Sequence, residues 1–203
     1  MGTRAVSGDP TEPWTVLAEE TLLVRPRLTV SRQTVRLPDG RVIDDYDQIT
    51  MGRAAVIAAS RPDGHVLLLR TYKHGAGRSG LGFPGGGVEP GESDEAAAMR
   101  ELREETGLAS DHWQALGSYR VHSNQGCGTV SFFAAFHCHT VATPTADDLE
   151  AHEVLFLSRD EIVAAVSEGA FLSLGHVALA TLWLTLARDP STEPPPADRV
   201  PAC

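Results

Sequence analysis

Apolar positions along this chain fall into short β-branched runs broken by turn residues, and into three later stretches with helical spacing. Residues 21–24 and 28–30 are rich in strand formers, and 34–37 alternates apolar with polar. Pro38, Asp39 and Gly40 then form a turn signal, and 41–43 resumes the apolar pattern. Such runs joined by a glycine-containing turn predict a small antiparallel sheet between Trp14 and Gln48. Residues 53–59 and 65–72 flank a second turn signal, Pro62, Asp63 and Gly64, and predict two further strands. A glycine-rich stretch, 75–91, follows. Residues 93–106 predict a helix, with Ser93 as N-cap and Gly107 as its stop. Strands are expected again at 113–121, 129–139 and 154–157, and helices at 159–168 and 174–188. Many strands interleaved with few helices imply an α+β sandwich with a mixed sheet, rather than a doubly wound parallel one.

The two ends read differently. Residues 1–13 are rich in Gly, Pro, Ser and Thr and predict a flexible leader. From Asp189 onward Pro190, Pro194, Pro195, Pro196 and Pro201 predict a flexible tail, 189–203. Between them, 14–50 is read as an N-terminal β region and 51–188 as the main domain, a division that a chain of 203 residues accommodates. No apolar run reaches transmembrane length, and the first residues lack the apolar centre of a signal peptide. Cys127, Cys138 and Cys203 are odd in number and lack metal-ligand spacing, which suits a reducing compartment and a cytoplasmic protein. The formal net charge of −10 argues against nucleic acid or an anionic membrane as partner. A phosphate compound would have to be attracted locally, by metal ions or by a few Lys and Arg side chains.

Chemistry concentrates in the helix at 93–106. At about 100° per residue, with Glu101 set at 0°, Glu104 falls near −60° and Glu105 near +40°. Ala98, Leu102 and Met99 fall at roughly 60°, 100° and 160°, which makes the adjoining face apolar. Three carboxylates on one face repel one another unless something neutralises them. A solvated acidic helix face is one reading; a bound hard cation such as Mg²⁺, which takes oxygen ligands and keeps several waters, is the other. The flanks favour the cation. Pro84, Gly85, Gly86 and Gly87 allow a backbone carbonyl to come close to a metal, Glu92 lies just ahead of the helix, and Arg100 can grip a carboxylate with two prongs.

Gly86, five residues, Glu92, seven residues, then Arg100, Glu101, Leu102, Arg103, Glu104, Glu105, Thr106, Gly107 and Leu108 resemble the complete box of the Nudix hydrolases. The resemblance implies an α/β/α sandwich and a Mg²⁺-dependent hydrolysis, with Mn²⁺ as the alternative metal. It implies Glu101 and Glu105 as principal ligands, Glu104 assisting, and the carbonyl of Gly85 completing the set. Arg100 and Glu92 would orient those carboxylates. The metals would neutralise the diphosphate and activate water for in-line attack.

The flanking segments 14–17, 35–40, 66–73, 83–92, 123–128 and 160–162 are similar to the ADP-ribose pyrophosphatase branch. That implies as substrate a nucleoside diphosphate linked to another moiety, ADP-ribose or another ADP-sugar cleaved to AMP and a sugar phosphate, and a homodimer in which residues 14–50 build part of the pocket. Lys73, Arg53 and Arg70 are candidates for phosphate contacts, and Tyr46 and Trp14 for a nucleobase, against the plainer readings of surface charges and buried aromatics. Three positions depart from the branch. Gly82 stands where a glutamate is common. Lys73 replaces an arginine and loses its planar fork. The loop 122–128 holds no carboxylate to position the attacking water, which leaves Glu104, Glu150, Glu153 or His122 as bases. The acidic run Asp147, Asp148, Glu150 and Glu153 is read chiefly as a solvated loop, His137 and His139 as structural residues on one strand, and Cys127 as unreactive. Two rival functions stay open: a Nudix enzyme for another nucleotide or pyrophosphate intermediate, and a nucleotide sensor without catalysis.

Overall fold

The computed structural model describes residues 9, 11–145 and 152–192. The chain divides into two compact units: everything up to Gly52 together with Arg120–Thr129, and Arg53–Tyr119 together with the chain from Val130.

The first unit contains β1 (Thr15–Arg25), β2 (Leu28–Arg36) and β3 (Val42–Met51). All three pair antiparallel, β1 with β2 and β2 with β3, so the expected N-terminal sheet is present. The predicted turn closes β2 onto β3: the Gly40 N–H donates to the Leu37 carbonyl at 2.9 Å, and Gly40 has φ +83°, where a side chain would be strained. Segment 120–129 joins the same unit through β3. Tyr46 and Gln48 donate to the Asn124 carbonyl, at 3.1 and 2.7 Å, and the Ile49 N–H donates to Gln125. Every residue of β1 is exposed, and Val35 is the one buried apolar side chain among the unit's described residues.

The second unit begins with β4 (Arg53–Ala59), β5 (Val66–Lys73), β6 (Arg78–Gly82) and β7 (Gly85–Gly87). Then come α1 (Asp94–Thr106) and β8 (Leu108–Ala109). The strands β9 (His112–His122) and β10 (Gly126–Phe136) run across the boundary between the units. β11 (His139–Thr140), β12 (His152–Leu157), α2 (Arg159–Ser167) and α3 (Leu174–Leu186) complete it. Within this unit β9, β10, β4 and β7 lie side by side, β5 sits between β12 and β6, and β8 pairs with β11.

Strand alternation assigns the two faces. Ala58 of β4, Val66 and Leu68 of β5 and Phe132 of β10 pack with Ile162 of α2 and with Leu179 and Trp183 of α3. Their neighbours Ile57, Leu67, Leu69 and Phe133 pack instead with Ala98 and Leu102 of α1. Strands covered on both faces explain the unbroken apolar run at 66–69, and the result is the expected α/β/α sandwich.

Four expectations need correction. Met99 is 43% exposed, whereas α1 buries Ala97, Ala98 and Leu102. The strand expected at 129–139 stops at Phe136, because His137 takes φ +53° and turns the chain; His137 and His139 therefore do not share a strand face. His137 Nε2 meets Asp189 Oδ2 at 2.6 Å, and Pro190–Thr192 forms a 3₁₀ turn, so the expected tail begins with fixed structure; 193–203 lies outside the described residues. Trp14 is 45% exposed rather than buried, and meets Tyr46 edge to face at 5.4 Å. The glycine-rich stretch also holds two strands that composition conceals, β6 and β7, each fixed by pairing with a neighbour. Cys138 is buried, and desolvation pushes its thiol up to about 12, so it is an inert packing residue.

Candidate functional site

α1 starts and stops as its sequence predicts. Ser93 Oγ accepts the Ala96 N–H at 3.1 Å, and Asp94 and Glu95 place negative charge at the positive end of the helix. Gly107 ends it at φ +69°, and a Cβ there would come within 2.2 Å of the Ala142 carbonyl oxygen. Ala97, Ala98 and Leu102 anchor one side of the helix in the core, which fixes the rotation of the other.

Arg100 organises that other side. Its Nε donates to Glu92 Oε1 at 3.0 Å and one terminal nitrogen reaches Glu92 Oε2 at 3.2 Å. The same nitrogen donates to the Gly87 carbonyl at 2.8 Å. The other terminal nitrogen bridges Glu101 and Glu104, at 2.8 and 3.0 Å. One planar guanidinium thus ties three carboxylates together, which a lysine ammonium cannot do in this geometry. The bond from Arg100, then the Glu89 N–H, holds Glu92 below the usual carboxylate range. Glu92, followed by Glu101 and Glu104, raises the Arg100 guanidinium further above its already high range.

Glu105 is held separately, by the Gly85 N–H at 2.8 Å from its Oε2. The glycines of β7 allow two further close approaches. A Cβ on Gly86 would stand 2.3 Å from Glu101 Oε1, and one on Gly85 would stand 2.2 Å from the Ala55 carbonyl oxygen. Glu101 therefore occupies the space a side chain at position 86 would need, and the β4 backbone occupies the space of one at position 85. Among the described residues, no three acidic, His or Cys side chains form a metal cage by themselves. The donors nonetheless suit Mg²⁺ or Mn²⁺, since a hard cation of this kind relies on a few carboxylates and completes its shell with waters and substrate phosphates.

A cavity of about 70 Å³ adjoins Glu105, lined also by Thr71, Lys73, Gly82, Gly85 and His176. His176 was not singled out from the sequence: a histidine in the first turn of an apolar helix carries no local signal. Burial, and then the charge of Lys73, push its pKa down to about 4, and its Nδ1 accepts the Phe83 N–H at 3.1 Å. A wider hollow of about 610 Å³ lies along Arg103, Glu104, Trp113 and the exposed Met99.

The profile of the NUDIX domain matches residues 50–175, more than half of the chain. The chain belongs to the Nudix family. It is 29% identical over 136 residues to the ADP-ribose pyrophosphatase of Mycobacterium tuberculosis, covering 66% of this chain and 65% of that protein. To the ADP compounds hydrolase NudE of Escherichia coli it is 35% identical over 98 residues, 48% of this chain and 52% of the relative. The chain thus spans somewhat under two thirds and about half of the lengths of these relatives. A crystal structure of an ADP compounds hydrolase shares the fold with a TM-score of 0.74, at 23% identity, over 84% of this chain and 92% of the other.

The remaining candidates of the Nudix chain fall in scattered places. Arg53 meets Asp94 at 2.5 Å and the Glu92 carbonyl at 2.9 Å, so it braces the entry to α1. Arg70 pairs with Glu153 at 3.2 Å, both exposed. Lys73 lines the cavity beside Glu105. Tyr46 lies in the first unit, on Asn124. Of the candidate bases, Glu104 lies under Arg100, Glu153 under Arg70, and His122 Nδ1 accepts the Gln125 N–H at 3.2 Å; Glu150, with Asp147 and Asp148, lies outside the described residues. Cys127 takes φ +52° between two glycines.

Proposed function

We propose that this Nudix chain is a pyrophosphohydrolase that cleaves ADP-ribose, or another ADP-sugar, to AMP and a sugar phosphate with Mg²⁺ or Mn²⁺. The observation that carries this reading is the carboxylate array on α1, with Glu101 and Glu104 bridged by Arg100 and Glu105 seated on the Gly85 N–H. The names of the two relatives, an ADP-ribose pyrophosphatase and an ADP compounds hydrolase, support the choice of substrate.

In this reading Glu101, Glu105 and the Gly85 carbonyl hold the metal, with Glu104 assisting. The bound cation supplies charge neutralisation and lowers the pKa of its water. Arg100 and Glu92 keep the ligand carboxylates from turning away or repelling one another. Lys73 offers a cation to the diphosphate, with Arg53 and Arg70 as further candidates and Tyr46 for the base. In the net reaction water forms a new P–O bond as the P–O–P bridge breaks, and each product leaves with one phosphate. The domain limits 14–50 and 51–188 and a homodimer formed through the N-terminal sheet belong to the same proposal. The exposed apolar side chains of β1 support that dimer. A cytoplasmic setting and the absence of nucleic acid or membrane partners belong to it too; no described helix is long and apolar enough to cross a membrane.

Gly82 and the carboxylate-free loop favour one rival, the same chemistry on a different nucleotide. Separating the products from ADP-ribose, other ADP-sugars, GDP-sugars and nucleoside triphosphates in Mg²⁺ decides between them. The expected result is AMP from ADP-ribose or another ADP-sugar at the highest kcat/KM. Preference for a GDP-sugar or a triphosphate would contradict the substrate assignment, and nucleotide binding without turnover would point to a sensor.

A further inference from the structure

His176 has no part in the chemistry above, yet its position is closely determined. A backbone N–H can only donate, so the bond from Phe83 to Nδ1 leaves the ring proton on Nε2. The ring at position 176 is therefore a neutral donor, and no hydrogen bond from Nε2 to another described residue occupies it. Two N–H groups of one short segment set the scene. That of Phe83 holds the imidazole and that of Gly85 holds the Glu105 carboxylate, and both side chains wall the same cavity. Gly82 makes room for the ring: a Cβ there would stand 3.3 Å from Nε2 and 3.4 Å from Cε1. Lys73 and Thr71 of β5 add a cation and a hydroxyl to the walls. The cavity, about 70 Å³, is roomy enough for water, which needs on the order of 10–15 Å³ by this measure, and its polar walls suit a phosphoryl group.

We infer that His176 is a substrate-binding residue, whose Nε2–H donates to a phosphoryl oxygen of the diphosphate beside Glu105. This rests on the diphosphate reading of the site given above. It makes the first turn of α3 part of the phosphate subsite.

The test uses His176→Asn. Asparagine offers Oδ1 to the Phe83 N–H in place of Nδ1 and removes the distal donor. Two quantities are read: KM and kcat for ADP-ribose with Mg²⁺, and the Kd for ADP by calorimetry without metal. A hydrogen bond to a charged group lost from the complex weakens binding by about ten- to a hundred-fold. The expected result is a rise of that size in both KM and Kd, with kcat within about three-fold of wild type. Equal Kd values, or no binding of ADP by the wild-type protein, overturn the inference. If wild-type protein binds ADP but turns over no ADP-ribose, the hydrolase reading fails while the comparison of Kd values still decides the role of His176. Should the variant fail to fold, the imidazole ¹⁵N signals of the wild type replace it. A shift of the His176 Nε2 resonance on adding ADP supports the contact, and an unmoved resonance overturns it.

Discussion

The two units of this chain use the same β-forming residues to opposite ends. In the second unit, alternate residues of β4, β5 and β10 sink into apolar layers on either side of the strands, and helices close both layers. In the first unit, Val16, Leu17, Leu22, Leu23, Val24, Val42 and Met51 stay exposed although they stand in well-paired strands. Strand pairing satisfies the backbone, but a core needs a second layer to cover the apolar face. The carboxylates and the cavity occur where that cover exists. A network of partly buried ion pairs such as that of Arg100 needs a rigid base, and Ala97, Ala98 and Leu102 provide it.

The largest effect is expected at Glu105. Glu105→Gln keeps the size of the side chain and removes its charge. Turnover of ADP-ribose is expected to fall about a thousand-fold, near 4 kcal/mol in the barrier, with circular dichroism and melting unchanged. Retained activity would remove Glu105 from the metal set. Next comes the base beneath it. Leu102→Ala empties a fully buried position and is expected to cost about 2–5 kcal/mol in chemical denaturation.

A smaller effect sharpens the account of the cavity. Burial, then Lys73, keeps the folded pKa of His176 at about 4 against 6.5 for the ordinary residue. Between those values the unfolded chain binds more protons, so stability rises with pH through that window and is fully present above 6.5. Acidification from pH 6.5 to 4 is expected to remove up to about 3 kcal/mol through this residue, at 1.36 kcal/mol per unit. His176→Asn should flatten that part of the profile, read against wild type because the carboxylates titrate alongside. An unchanged slope would show that the ring gains its proton freely in the folded protein. The smallest effect belongs to the first unit. Val24→Ser on β1 is expected to change the stability of a single chain by only about 0.5 kcal/mol. If the open face is the surface covered in a dimer, light scattering should show the variant dissociating at concentrations where wild type stays paired; identical dissociation would place the contact elsewhere.

The ends of α1 and the carboxylates gathered on one side of it were legible because their determinants are local. Caps at Ser93 and Gly107 and carboxylates at spacings of three and four residues lie within one short segment. The strand end at Phe136 was not, since nothing in the residue type of His137 announces a left-handed backbone. Met99 was assigned to the apolar face by angle alone, but the hollow along Arg103 and Trp113 leaves it uncovered. β7 is three glycines, and only its pairing with β4 makes it a strand. The hydrogen bonds of His176 and Asn124 were illegible for a common reason. Their partners, Phe83 for one and Tyr46 and Gln48 for the other, are 76 to 93 residues away in the chain.

Whether the α1 carboxylates act through a divalent cation is decided by following AMP release from ADP-ribose by the wild-type protein in Mg²⁺, after the metal is stripped with EDTA, and after Mg²⁺ is restored. Activity that disappears with the metal and returns with it is the result expected. AMP released at the same rate in EDTA would contradict the claim and leave the carboxylate array as a structural feature of the helix.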